Sequence, residues 1–391
     1  MIQFENTKIA FQSKSNKDLK RAYLLFTVIK FPLVVKLGQI VSALALKLRF
    51  PVGWLVKPTI YKQFCGGENI EECRPTVDKM AKYNVHAILD YSVEGKENDK
   101  DIQAALRETI RAIENAANDT NVPFAVFKPT AFGKSAVLEK SSAGAELSAE
   151  ERKELDKFRD RIHTLCQTAY EKDVSIMIDA EDYAYQAIID DVVRENMIKF
   201  NREQPIVFNT LQMYRWDRLD FLKAELKKAT EGNYLLGMKF VRGAYMERER
   251  LRAKKYGYTD PIHKTKEDTD KDYNAGLKFA IENIEKIAIF NGTHNEKSSK
   301  YLVKLMEQHN IPKDDGRIYF SQLYGMSDHI SFNLAHGGYN VAKYLPYGPV
   351  RNVLPYLIRR VEENSSVQGQ TSRELELIKK ELNRRKTENT L

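Results

Sequence analysis

The sequence predicts an α/β fold, a (βα)8 TIM-type barrel with extra N-terminal helices and a C-terminal helix. Three observations carry this expectation. From about residue 85 onward, eight short apolar runs, often β-branched, alternate with longer segments of helical period. That alternation is the mark of parallel βα units, and eight of them suggest closure. The 391 residues accommodate a barrel of about 250 residues with helices to spare. An open doubly wound sheet lacks its own marker, because no GxGxxG follows the first run.

In chain order, residues 1–80 read as a helical segment packed on a barrel formed by residues 81–391. The opening MIQFENTKIAF has the pattern neither of a secretory signal nor of an Arg-rich transit peptide. Ala22–Leu48 is the most apolar stretch, interrupted by Lys30, Pro32, Lys36 and Lys47. Its longest charge-free part, Leu37–Leu46, is too short for the roughly 20 residues that cross a bilayer. It reads as a pair of packed helices, with peripheral membrane contact as the lesser reading. Gly66-Gly67 reads as a helix C-cap or turn.

The runs are His86–Tyr91, Pro123–Lys128, Val174–Asp179, Pro205–Leu211, Leu235–Val241, Ile287–Asn291, Arg317–Gln322 and Tyr339–Tyr344. Between the second and third, Ser141–Glu146 is small and polar and reads as loop. Ser148 with Glu151 forms a capping box that opens a charged helix. The tail beyond Asn364 is polar and helical in composition.

Composition narrows the function. Apolar residues make up 42% and charged residues 30%, a globular profile. The net charge of +8 raises a nucleic-acid or anionic-membrane footprint. However, Lys and Arg are interleaved with Asp and Glu, as in Glu247-Arg248-Glu249-Arg250, and no single-sign block appears. A solvated basic surface without nucleic-acid binding is the favoured reading. Cys65, Cys73 and Cys166 show neither a disulfide framework nor a metal spacing, and they suit a reducing, cytoplasmic setting.

Barrel chemistry gathers at the C-terminal ends of the strands. There the sequence offers Asp90, Lys128, Asp179 with Glu181, Gln212, Lys239 with Arg242, Thr293-His294-Asn295, Gln322 and Tyr344. Each alone carries little, since a strand end is where solvent begins. The richest segment is Tyr344–Asn364. Gly348-Pro349 marks its turn into a helix. Along that helix Tyr356, Arg359 or Arg360, and Glu363 share one face. Adjacent arginines can present a forked donor array to a carboxylate, or simply form a solvated basic helix.

This closing segment resembles that of the proline dehydrogenase family, and so does Lys239-Phe-Val-Arg-Gly-Ala-Tyr245. Further similar motifs are Phe127-Lys128, Ile178-Asp-Ala-Glu181, Gln212-Met-Tyr214, Gly292-Thr-His-Asn295 and Gln322-Leu-Tyr-Gly-Met326. Together the motifs span about residues 60–365 in the family's order.

The resemblance implies a barrel with noncovalent FAD that oxidises L-proline to Δ1-pyrroline-5-carboxylate and passes electrons to a membrane quinone. The expected location is the cytoplasm, as the cysteines suit, with a peripheral place on the inner membrane as the lesser reading. Lys128, Arg359 and Arg360 would hold the proline carboxylate. Tyr344 would pack on the proline ring, with Leu323, Tyr245 and Tyr356 completing the pocket. Asp179 would order the site beside Lys128, and Lys239 would lie near the flavin N5. These two form the catalytic pair. Ala180, Gln212, Val241, Arg242, Gly243, Ala244, Lys266, Thr293, His294 and Glu363 would bind FAD. No metal is implied.

Two positions depart from the pattern. Lys239 stands where many members have Arg, which forfeits a bidentate contact. Met246 stands where many have an aromatic residue. Two other functions compete. A hydroxyproline-oxidising relative is disfavoured by the bulk of Tyr344, because such relatives tend to carry a smaller residue there. A non-enzymatic basic surface-binding barrel is disfavoured by the intact motifs.

Overall fold

The structure is a computed structural model that describes residues 2–31, 53–92, 97–366 and 370–388, with backbone alone at 54–55, 362–366 and 370–371. Eight parallel strands close in sequence order: β1 (Val85–Tyr91), β2 (Phe124–Phe127), β3 (Ser175–Ile178), β4 (Val207–Gln212), β5 (Leu236–Val241), β6 (Ile287–Gly292), β7 (Ile318–Leu323) and β8 (Val341–Tyr347). Each overlaps one of the eight apolar runs. The chain divides into two compact units, one of residues 1–94 with 322–391 and one of residues 95–321.

In the unit 95–321, local sequence sets the helix starts. Asn98, Ser148, Thr265 and Asn295 each accept a first-turn N–H at an N-cap. The capping box of Ser148 and Glu151 forms as expected. Ser135–Ser142 is a helix that buries Val137 and Leu138, and it takes in only Ser141 and Ser142 of the segment Ser141–Glu146 expected as loop. Strands β2, β4 and β6 send Phe124, Phe208 and Phe290 to one place. There Phe124 meets Phe208 at 5.6 Å, Phe290 at 5.3 Å and Tyr319 of β7 at 4.9 Å, all edge-on. Contact between rings from alternate strands is barrel-interior packing. Phe124 opens β2, so this layer fills the N-terminal end and leaves the chemistry to the other end.

In the other unit, β1 and β8 pair from Val85↔Val341 to Tyr91↔Tyr347. The eighth run was expected to end at Tyr344. It continues through Pro346, which cannot donate but whose carbonyl accepts from Gly66 N–H at 2.9 Å. Gly67 bridges Tyr347. The glycine pair is therefore not a helix cap. A Cβ on Gly66 would lie 2.8 Å from Cys73 Sγ, so glycine is required by close approach. The Asn16–Ile29 helix opens on a capping box of Ser15 and Asp18 and buries Leu19, Ala22, Phe26 and Ile29. It is the first of the two helices expected in Ala22–Leu48; residues 32–48 lie outside the described residues. The Gln370–Glu388 helix confirms the helical tail.

One ion pair is deeply buried here. Lys343 of β8 meets Asp328 at 2.6 Å, and Lys14 approaches the same carboxylate at 3.6 Å. Despite desolvation, which opposes the charged form, Lys343 and Lys14 hold the Asp328 carboxyl below its ordinary range. Among the described residues, no helix is long and apolar enough to cross a membrane.

Candidate active site

Three charged side chains converge in the unit 95–321. Lys128 follows the last residue of β2, Asp179 follows the last residue of β3, and Lys239 lies within β5. The Asp179 N–H donates to Phe127 O at 3.0 Å, which draws the two strand ends together. Lys239 Nζ donates to Asp179 Oδ1 at 2.6 Å, and Lys128 Nζ stands 4.0 Å from Oδ2. The side chains of Lys239, Asp179 and Lys128 are 8%, 15% and 16% exposed. Two ammonium groups thus share one carboxylate in a mostly buried place, where charge-assisted bonds are at their strongest.

A third cation is fixed just past β5. Arg242 Nε donates to Asp270 Oδ1 at 2.8 Å, and Nη2 donates to the same oxygen at 2.6 Å. Nη1 donates to Thr293 Oγ1 at 2.6 Å, and the guanidinium lies 4.3 Å from the Tyr273 ring centroid. Lys266 Nζ takes the other Asp270 oxygen at 2.5 Å. Burial opposes the Asp270 charge, but Lys266 and Arg242 hold the carboxyl below its ordinary range. Gly243 follows at φ +126°, where a Cβ would lie 2.5 Å from the Tyr214 ring. Only glycine fits there. Gly243 and Ala244 are exposed beside a fixed guanidinium. Small exposed residues with an oriented cation suit a phosphate-bearing cofactor, so the residues present fit a dinucleotide.

The third βα loop links these groups to their neighbours. Glu181 accepts from Thr130 N–H at 2.7 Å and from Thr130 Oγ1 at 2.6 Å. Gln212 Nε2 donates to Glu181 O at 2.9 Å. Thr293 is buried, its N–H bonded to Ser321 O at 3.0 Å. Ala180, Val241 and His294 are partly buried, and Ala244 is exposed. Tyr245 is partly buried, with the Arg248 guanidinium 4.4 Å from its ring centroid.

The other residues expected at the site fall in the unit of 1–94 with 322–391. Tyr344 and Tyr356 are buried. Tyr344 lies three residues before the end of β8, in register with Ile88, not at the strand's end as expected. Its carbonyl accepts from Tyr324 N–H at 2.8 Å, beside Leu323. On the Val350–Ser366 helix, Arg360 is buried with its guanidinium 5.1 Å from the Tyr356 ring centroid, the i,i+4 neighbour expected, while Arg359 is partly buried. The Glu363 side chain lies outside the described residues.

Sequence reasoning missed Asp270, Thr130 and Ser298, whose Oγ accepts from Arg242 Nη2 at 3.0 Å. Asp270 carried one readable signal, its i,i+4 spacing from Lys266. Its bond to Arg242, 28 residues earlier, had none.

A closed parallel barrel bearing a mostly buried cluster of charged side chains at its strand ends defines a (βα)8-barrel enzyme. The family model for proline dehydrogenase matches residues 73–373, and the chain belongs to that family. It is 36% identical over 322 residues to the carbapenem antibiotics biosynthesis protein CarD of Pectobacterium carotovorum subsp. carotovorum, covering 82% of this chain and 83% of that one. To mitochondrial proline dehydrogenase 1 of Dictyostelium discoideum it is 33% identical over 429 residues, covering 97% and 74%. Proline utilization A of Bdellovibrio bacteriovorus, solved after inactivation by N-propargylglycine, superposes with a TM-score of 0.73 at 22% identity. That match covers 92% of this chain and 38% of the solved one, and it is a likeness of fold.

Proposed function

We propose that the chain oxidises L-proline to Δ1-pyrroline-5-carboxylate with bound FAD and hands the electrons to a membrane quinone. The observation that carries the reading is the sharing of Asp179 by Lys128 and Lys239. FAD, when bound, supplies the acceptor for the hydride leaving the carbon next to the ring nitrogen. Lys128, with Arg359 and Arg360, binds the substrate carboxylate through charge-assisted hydrogen bonds. Tyr344, Leu323, Tyr245 and Tyr356 wall the pocket and exclude water. Asp179 positions both lysines. Lys239 stabilises the negative charge that develops on the cofactor. Arg242 and Lys266, with Ala180, Gln212, Val241, Gly243, Ala244, Thr293, His294 and Glu363, hold FAD.

The substrate amine must be neutral to release hydride, so activity rises with pH; no side chain is assigned as its base. In this reading residues 81–391 are the catalytic barrel and residues 1–80 a helical segment packed on it. The protein works in the cytoplasm, where it meets a quinone at the inner membrane.

The test is a visible spectrum of the purified protein, before and after L-proline is added without oxygen. Bound flavin that bleaches on addition is expected. A folded protein with no flavin absorbance, even after FAD is supplied, overturns the reading.

A further inference from the structure

The Tyr183–Phe200 helix begins four residues after Asp179. Its N-cap residue, Asp182, makes no capping hydrogen bond with its side chain. That carboxylate is instead engaged by Arg248 and by the Tyr185 hydroxyl. The Tyr183 N–H, an orphan donor of the first turn, goes to Glu249 Oε1 at 2.8 Å. Glu249 belongs to another element, the Met246–Tyr256 helix, which opens one residue after Tyr245.

Two neighbouring residues of the fifth βα segment therefore occupy the start of the helix in the third. Arg248 takes the side chain that would have capped it, and Glu249 does the capping. A third tie joins the same two segments: the rings of Tyr183 and Tyr258 stack at 5.6 Å. Arg215 covers the Tyr183 ring, with its guanidinium 4.6 Å from the centroid.

Glu249 is 1% exposed, in a helix whose neighbours Glu247 and Arg248 face solvent. A buried carboxyl is costly unless its bonds offset the loss of water. Oε2 of Glu249 has no hydrogen-bond partner among the described residues. Burial pushes the Glu249 carboxyl above its ordinary range, while the Tyr183 N–H works the other way. An amide in its place keeps the acceptor and the shape.

Both segments carry groups of the site. Asp179 and Ala180 lie four and three residues before the capped helix, and Arg242–Tyr245 immediately precede the helix that caps it. We propose that Glu249 is a positioning residue, which fixes the third βα loop to the fifth through the Tyr183 amide in the arrangement that cofactor binding requires. The proposal rests on the flavin reading above for its consequence, but not for the clasp itself.

The test compares Glu249→Ala, which removes the acceptor, with Glu249→Gln, which keeps it, each purified as the full chain. Hydrogen exchange across residues 179–186 reads the clasp without any cofactor. FAD titration by fluorescence quenching reads its consequence. Glu249→Ala should lose amide protection at Tyr183 and bind FAD about tenfold more weakly, the order of one lost hydrogen bond. Glu249→Gln should restore both to near wild type, a rescue that nonspecific destabilisation does not produce. Unchanged protection in Glu249→Ala, or equal defects in the two variants, overturns the clasp. Wild-type protein that binds no FAD but shows the protection difference overturns the flavin reading and with it the consequence, while leaving the clasp standing.

Discussion

Replacing Asp179 by Asn removes a carboxylate that Lys128 and Lys239 share. At the 4.0 Å between Lys128 Nζ and Oδ2, the gross attraction is about 4 kcal/mol at an effective dielectric of about 20. The Lys239 contact is closer, at 2.6 Å. Desolvation offsets much of this gain, and breaking a buried pair typically costs about 3–5 kcal/mol. The three side chains retain 8–16% exposure, so the lower end applies. If about 3 kcal/mol falls on the transition state, kcat/KM drops roughly a hundredfold or more, at about 1.4 kcal/mol per tenfold. FAD affinity should change far less, because Arg242 is anchored by Asp270 on a different element. Steady-state kinetics with an artificial electron acceptor, alongside FAD titration, make the comparison. Catalytic efficiency close to wild type refutes the positioning role, and so does a loss of FAD affinity that fully accounts for the lost activity.

Arg359→Met and Arg360→Met should each weaken proline binding by about 2–5 kcal/mol. Arg360→Met should also lower the melting temperature, because the buried guanidinium packs on Tyr356; Michaelis constants unchanged in both variants would count against the assignment. Asp270→Asn should weaken FAD binding and remove an acid transition. Its folded pKa lies below the unfolded value of about 3.9, so its contribution is present above that pH and is lost as pH falls through the folded value. A variant with the wild-type acid profile would contradict this. Tyr344→Ser should narrow the preference for proline over trans-4-hydroxyproline, which an overpacked site of about 1–3 kcal/mol sets at roughly one to two orders of magnitude. An efficiency ratio identical in wild type and variant would remove Tyr344 from specificity.

The eight strands were legible because strands buried on both faces read as unbroken apolar runs. The end of β8 was not, since Pro346 looks like a stop until Gly66 donates to its carbonyl. The Arg360–Tyr356 pair was legible, being four residues apart on one helix. Asp270 and Arg242 meet across 28 residues, and no local pattern records such a contact. Glu249 is the plainest failure. Within Glu247-Arg248-Glu249-Arg250 it looked like one more solvated charge, yet it is 1% exposed. Alternating charge reports composition, whereas which member turns inward depends on the helix it meets.

The two cation networks suggest that substrate chemistry and cofactor retention are separable. Each carboxylate has both oxygens committed to its own pair of cations. Asp179 serves Lys239 and Lys128, and Asp270 serves Arg242 and Lys266. Asp179 comes from the end of β3, whereas Asp270 comes from the Lys266–Glu282 helix. A double-mutant cycle with Asp179→Asn and Asp270→Asn tests this directly. Independent sites add to within about 0.5 kcal/mol, while members of one network couple by about 0.5–3 kcal/mol. The expected result is additivity in kcat/KM measured at saturating FAD, with the Asp270→Asn defect confined to FAD affinity. A large coupling energy would mean that the two carboxylates hold a single structure. Lys239, which lies three residues before Arg242 and is bonded to Asp179, would then be the first place to seek the connection.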